Sequence, residues 1–341
     1  MIKKSVTMSD VAKAMGVSTV TVSKALGDRE GVSEALRERI KQKATEMGYR
    51  AHTGGHAQND GLTYNIGIVV AKRFISEPSA FYWIMYKYLV ELLQKQNYYG
   101  MLEVVEDGAD SPCEIPNSVR DRKVDGLILL GQFSDKYIDK LMQYYIPTVF
   151  LDFYGSRDDA DTVLSDNFYG AYILTTHLIV NGHRRIGFLG SIGSTSSIQD
   201  RYLGYYKALL ENRLPLRQDW IVGDRSYEGE IHKSFELPKD LPTAFVCNCD
   251  ESAFKLVSQL RDMGLRIPDD ISVAGYDNHV YSTMCQPHLT TMDVNSRQMA
   301  SEAVEIILHK IRDGSYKRGR TLVMGKLVLR DSVKNLRVTN E

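Results

Sequence analysis

Residues 17–26 read VSTVTVSKAL. Scored by alternation, Val20 and Val22 flanked by Thr19, Thr21 and Ser23 form a β-strand pattern of β-branched residues. The segment nevertheless follows DVAKAMG (residues 10–16), whose apolar positions recur at helical spacing, and no second strand pattern lies nearby to pair with it. Which reading holds decides the fold of the first fifty residues.

The helical reading explains more of the surrounding residues. Ser9 can cap a first helix, with Asp10 in the first turn where a negative charge suits the helix dipole. Val11, Ala12 and Met15 then share one stripe, and Gly16 supplies the left-handed exit. Ser18 can cap a second helix on which Val22, Ala25 and Leu26 face Val11, Met15 and Val17 of the first segment. Two short helices joined by a glycine-containing turn make a helix-turn-helix. A third helix starts after Ser33, with Leu36, Ile40 and Ala44 recurring at i+4 and Arg37, Arg39, Lys41 and Lys43 on other faces. In this geometry Thr19, Val20, Ser23 and Lys24 are left outside the buried stripe. Choosing them for contact rather than for helix propensity costs about 1 to 2 kcal/mol, which packing can offset. An exposed Val20 can meet a thymine methyl, Thr19 and Ser23 can donate to phosphates or base edges, and Lys24 can reach a guanine edge or a phosphate. The alternative at this point is a small helical hairpin with no nucleic-acid role.

The whole chain of 341 residues is too long for one ordinary core, and its 43% apolar and 25% charged content is that of a globular protein of two or three domains. Its net charge of -1 conceals a split: residues 1–52 hold ten Lys/Arg against six Asp/Glu, and the remainder holds 32 against 37. A basic head on a mildly acidic body suggests a polyanionic partner for the head alone. The opening MIKKSVTMSD carries no apolar h-region, and runs such as IGIVVA are too short to cross a bilayer, so a cytoplasmic protein without membrane association is expected. Cys113, Cys247, Cys249 and Cys285 have no C-x-x-C spacing, which favours packed thiols over a metal or redox site. No metal and no cofactor is implied.

The segment VTMSDVAKAMGVSTVTVSKALGDREGVSEALRERIKQKATEMGYR (residues 6–50) resembles the head of the LacI/GalR family of bacterial transcriptional regulators, including its V-S-x-x-T-V-S-[RK] core and closing G-Y. The resemblance continues through NFYGAYILTTHLIVNGHRRIGFLG (167–190), RIPDDISVAGYDN (266–278), PHLTTMDVN (287–295) and KLVLRDSV (326–333), in the family's order. It implies that Thr19, Val20 and Lys24 read bases and that Thr7, Ser18, Thr21 and Ser23 contact or neighbour phosphates. The family usually carries Arg at the position of Lys24, and lysine lacks the planar fork that reads guanine bidentately. Family members also follow the head with a hinge helix whose leucine wedges into the minor groove. Here that stretch is RAHTGGHAQNDGL (50–62), with Gln58 at the leucine position and Gly54 and Gly55 costing a helix about 1 kcal/mol each. A flexible linker is the competing reading of residues 51–63.

From residue 64 the chain alternates strand patterns (YNIGIVVA, GMLEVV, DGLILLG, PTVFLDF, then RRIGFLGS, DWIVGD, TAFVCNCD, ISVAGYDN) with helical runs, as two doubly wound parallel-sheet lobes require. The expected fold class is therefore an all-α helix-turn-helix domain (1–50), a linker (51–63) and an α/β bilobed, periplasmic-binding-protein-like body (64–341). The resemblance adds three crossings between lobes, near residues 165, 292 and 324, giving lobe 1 residues 64–164 and 293–324, and lobe 2 residues 165–292 and 325–341. It also returns the helix from Ser296 to about Arg312 to the first lobe.

Parallel sheets bind ligands at the carboxyl ends of their strands, and facing lobes make a cleft there. Asp277 after ISVAGY can accept two sugar hydroxyls and Arg201 can donate to others; by position both match the family's ligand-binding residues. Among Phe81, Tyr82 and Trp83, Phe81 is favoured to stack on a sugar face. Gln132, Phe133 and Phe153 follow strands and are candidates for the cleft. Cys249 stands where the family often has Asn, which alters the usual hexose contacts. His177 and His183 read as structural. The implied function is a sequence-specific repressor, a homodimer on a pseudo-palindromic duplex operator, whose binding is set by a small effector, a sugar or sugar derivative, with a purine corepressor as the alternative. A free-standing sugar-binding protein would not carry residues 1–50. An enzyme is disfavoured because no G-x-S-x-G, H-E-x-x-H, P-loop or G-x-G-x-x-G occurs.

Overall fold

The computed structural model describes residues 8–27, 30–47, 62–75, 81–107, 113–157, 159–226 and 229–337. The chain divides into two compact units, residues 1–62 and 63–341.

In the first unit, VSTVTVSKAL is helical. Helices α1 (Met8–Met15), α2 (Thr19–Leu26) and α3 (Glu34–Glu46) enclose a core of Val11, Ala12, Val22, Ala25, Ile40 and Ala44, with Met15, Val17, Leu26 and Leu36 packed at its edge. Tertiary burial of Val22 and Ala25 overrides the strand propensity of the segment. Gly16 takes φ +65° between α1 and α2. Ser18 caps α2, its Oγ accepting from Thr21 N at 3.1 Å. Two details differ from the sequence reading. Ser9 lies inside α1 rather than capping it, since the helix already includes Met8. Arg37 lies against the core, 9% exposed, because its methylene stem covers apolar surface while the guanidinium reaches Glu34. Thr7 and the linker residues 51–61 lie outside the described residues.

The second unit holds two six-stranded sheets. The first has β1 (Asn65–Ala71), β2 (Tyr99–Val105), β3 (Gly126–Leu130), β4 (Thr148–Leu151), β5 (Asp161–Ser165) and β11 (Arg320–Val323), in the order β11-β5-β4-β3-β1-β2, all parallel. The second has β6 (Ile186–Leu189), β7 (Ile221–Val222), β8 (Ala244–Cys247), β9 (Ser272–Asp277), β10 (Thr290–Asp293) and β12 (Lys326–Val328), in the order β12-β10-β9-β8-β6-β7, parallel except for β12. Helices α4 (Phe81–Lys95), α5 (Asn117–Arg120) and α6 (Asp135–Met142) belong to the first lobe, and α7 (Asn167–Val180), α8 (Ser196–Glu211), α9 (Asp250–Asp262) and α10 (Tyr281–Met284) to the second. The last helix, α11 (Ser296–Arg312), packs on α4 and on β3, β4 and β5. The chain thus changes sheet after β5, after β10 and after β11.

Strands β5, β10, β11 and β12 are three to five residues long and carry too little alternation to be picked out by pattern. They join the sheets through neighbours distant in sequence. Within lobe 2, α7 and α8 cross in backbone contact: a Cβ at Gly204 would stand 2.0 Å from the Phe168 carbonyl oxygen. His177 lies on α7, and His183 after its exit turn bonds Thr243 Oγ1 (3.0 Å) and the Lys334 carbonyl (3.2 Å). Burial lowers the pKa of both. Both histidines serve the fold.

Candidate effector cleft and DNA-reading face

On α2, the residues left off the core stripe are those the helical reading singled out. Thr19, Val20 and Lys24 are exposed, Val20 by 61%. An apolar side chain so exposed on an otherwise polar face contributes nothing to the core and is available for contact. Thr21 and Ser23 are half-buried, and Ser18 Oγ is engaged with Thr21 N and Thr21 Oγ1.

In the second unit a cleft of about 860 Å³ opens between the carboxyl ends of the two sheets. Its deepest wall is ionic. Asp277 ends β9 with φ +99°, a left-handed conformation that turns its carboxylate toward the cleft. Arg201, on the second turn of α8, places Nη2 3.1 Å from Asp277 Oδ1 in a buried ion pair. Its Nε donates to Asn167 Oδ1 (2.8 Å), its Nη1 donates to the Asn248 carbonyl, and the guanidinium lies 3.9 Å over the Tyr276 ring. Arg201 is 5% exposed, so these partners fix its fork in place.

The facing lobe contributes Asp152, directly after β4, whose Oδ2 accepts from Tyr82 Oη at 2.8 Å. Burial pushes the Asp152 carboxyl up to about 6, against the pull of Arg201 and the Tyr82 hydrogen bond. Burial likewise raises Asp277, opposed chiefly by Arg201. Asp152 Oδ1 is buried without a hydrogen-bond donor among the described residues, whereas Asp277 Oδ1 is ion-paired with Arg201. A buried acceptor in the condition of Asp152 Oδ1 costs about 1 to 3 kcal/mol, so it is a place where a ligand donor is rewarded.

Phe81 lines the cleft and meets Tyr82 edge-on at 5.4 Å, while Phe74, in a short 3-10 turn after β1, packs on Tyr82 at 5.0 Å. Trp83 points elsewhere, onto Tyr86. Cys249 also lines the cleft and caps α9, its thiol pushed up to about 11 by burial. All four cysteines are free thiols.

Three candidates are corrected. Phe133 and Phe153 are 1% and 0% exposed and belong to the core beneath the sheet, stacked on Tyr137 (5.1 Å) and Phe150 (4.8 Å). Being near a strand's carboxyl end does not determine which side a residue faces. Gln132 is committed to protein partners: Oε1 accepts from Ser196 N (3.1 Å) in the other lobe and Nε2 donates to the Phe133 carbonyl (3.2 Å). It bridges the lobes and does not line the cavity. Sequence reasoning weighed Tyr82 behind Phe81 and missed Asp152, Phe74 and above all Arg225, which lines the second lobe's wall beside Cys249. The carboxylate at Asp152, in the same strand-end position as Asp277, was the one signal available.

Among the described residues no group of His, Cys, Asp and Glu side chains could hold a metal ion, and no helix is long and apolar enough to cross a membrane.

A three-helix helix-turn-helix head and a bilobed α/β body with a ligand-sized cleft define the architecture of a regulator with a DNA-binding head and a periplasmic-binding-protein-like body. Comparison with known proteins places it further. Residues 7–52 match the model of bacterial regulatory proteins of the lacI family, and residues 175–333 match a periplasmic binding protein-like domain. A repressor named HTH-type transcriptional repressor PurR from Aliivibrio salmonicida (strain LFI1238) is 30% identical over 336 residues, covering 97% of this chain and 99% of the relative. Another of that name from Actinobacillus pleuropneumoniae serotype 3 (strain JL03) is 31% identical over 337 residues, again at 97% and 99% coverage. In fold, the chain is similar to the Lac repressor dimer bound to operator and the anti-inducer ONPF (TM-score 0.77, 22% identity, covering 97% of this chain and all of that one). It is also similar to the transcriptional regulator CelR in complex with cellobiose (TM-score 0.66, 21% identity, 96% and 99% coverage). The chain belongs to the LacI family; it is a DNA-binding transcriptional repressor and not an enzyme.

Proposed function

We propose that this repressor senses a small polyhydroxylated effector, a sugar or sugar derivative, in the cleft between its lobes. The carrying observation is the pair of buried carboxylates presented by opposite lobes to one cavity, Asp152 with an oxygen that no donor among the described residues meets and Asp277 ion-paired with Arg201. A ligand whose hydroxyls donate to both draws the lobes together, and it changes operator affinity only through its unequal affinity for the two lobe arrangements. Phe81 and Phe74 supply apolar surface against which a sugar face can lie. Solved fold relatives in complex with cellobiose and with bound ribose accord with this reading. A homodimer, the state named for the Lac repressor relative, would place two heads on a pseudo-palindromic operator. Thr19, Val20 and Lys24 would read bases, with Thr7, Ser18, Thr21 and Ser23 at or near the backbone.

A second reading, a purine corepressor, is favoured by the curated relatives named PurR. A purine also carries N–H donors for the two carboxylates. Isothermal titration of the full chain with a panel of sugars and of purine bases separates the two. The proposal expects heat with sugars and a matching change in operator affinity; binding confined to purines overturns it.

A further inference from the structure

The second lobe's wall of the cleft carries a guanidinium that the Arg201–Asp277 pair does not use. Arg225 follows β7, and its Nε and Nη2 lie 3.0 and 2.9 Å from the two oxygens of Asp224, in a side-on fork. Nη2 also donates to Asn248 Oδ1 (3.1 Å) and contacts Cys249 Sγ (3.7 Å). Asp224 is itself immobile. It is fully buried and accepts from Ser191 N (2.9 Å), Asn248 Nδ2 (2.6 Å) and Ser252 Oγ (2.6 Å); against the upward push of burial, Arg225 first and then Ser252 and Ser191 N hold its carboxyl down at about 2. Asp224 takes the Nε–Nη2 edge of the guanidinium, and Asn248 and Cys249 take the outer side of Nη2. The remaining nitrogen, Nη1, has no partner among the described residues, and Arg225 lines the cavity. A fork locked along one edge presents its free N–H donors in a fixed direction, at little ordering cost on binding.

The same cavity is lined by the acceptors of Asp152 and Asp277 and by the donors of Arg225, which contacts the Cys249 thiol also lining it. One small molecule can span both.

We propose that Arg225 determines effector specificity by binding a carboxylate, so that the effector is a sugar acid, a uronate or aldonate, with its hydroxyls on Asp152 and Asp277. This rests on the sugar reading of the cleft and narrows it. The free Nη1 can donate to a carboxylate oxygen, and a charge-assisted bond is about twice as strong as one to a neutral hydroxyl.

The test is calorimetric titration of the full chain with paired probes: glucose against glucuronate and gluconate, galactose against galacturonate. The acid is expected to bind roughly 10- to 100-fold tighter than its neutral parent, the effect of one buried charged hydrogen bond. Arg225→Gln should bring that ratio close to one, and Arg225→Lys, which keeps the charge without the fork, should leave an intermediate ratio; near-ultraviolet circular dichroism checks that each variant is folded. A neutral sugar that binds the wild type as tightly as its acid overturns the inference and leaves the sugar reading standing. An acid preference that persists in both variants overturns the role of Arg225. Absence of binding by every neutral and acidic sugar removes the sugar reading and this inference with it.

Discussion

Replacing Asp152 by Asn should make the body more stable at neutral pH. In the folded chain the Asp152 carboxyl is raised from 3.8 to about 6, chiefly by burial and further by the nearby Asp277 charge, against Arg201 and the Tyr82 hydrogen bond. In the unfolded chain it ionises near ~3.9. Between those values the folded protein holds a proton that the unfolded one has released, so stability falls as pH rises through the interval. At about 1.36 kcal/mol per pH unit, the loss amounts to about 3 kcal/mol, complete above about pH 7. Asn keeps the volume and the acceptor for Tyr82 Oη and has no charge to strand. Urea unfolding followed by the fluorescence of Trp83 and Trp220 should therefore find the variant and wild type alike near ~pH 4 and the variant more stable by up to about 3 kcal/mol near ~pH 7.5. Asp250 titrates in both proteins and cancels in the comparison, and the mutual repulsion of Asp152 and Asp277 is already contained in the raised Asp152 value. The same variant should respond less to effector, as expected where a strained site serves binding. Parallel pH profiles for the two proteins would refute the account of the cleft as a place where an ionised carboxylate is held under strain.

Lys24→Ala should weaken specific operator binding by roughly 1 to 3 kcal/mol, measured by fluorescence anisotropy, and an unchanged affinity would remove Lys24 from the reading face. Asp277→Ala should abolish the effect of the effector on the operator complex; normal induction would take Asp277 out of the site. Gly204→Ala inserts a methyl group 2.0 Å from the Phe168 carbonyl oxygen, so α7 and α8 must separate, lowering stability by at least about 1 to 3 kcal/mol. A thermal unfolding curve superimposable on that of the wild type would contradict that close crossing.

The residues that announced the fold did so through periodicity and capping. Ser18, Gly16 and the Val22–Ala25 spacing identified α2 against its own strand propensity, because a local cap and a buried stripe outweigh intrinsic preference. Long buried strands such as β1 and β3 were legible as apolar runs. β5, β11 and β12 were not, since strands of three to five residues gain their structure from partners far along the chain. In the site, Arg201 and Asp277 came together as expected, at 3.1 Å. Phe133 and Phe153 turned inward because aromatic side chains beside a strand end bury more area in the lobe's core than at a wet rim. Arg225 gave no signal: a lone arginine in a loop after a two-residue strand has no periodicity, and only the folded arrangement of Asp224, Asn248 and Ser252 reveals that it is fixed.

The most direct measurement of the central claim is affinity of the full chain for duplex DNA selected from a random library, compared with scrambled competitor, with and without a bound sugar acid. The account predicts a pseudo-palindromic sequence held at least about 1,000-fold more tightly than competitor, with that ratio shifted by the effector. Equal affinity for selected and scrambled duplexes, or a selective complex indifferent to every sugar that binds the body, would contradict it.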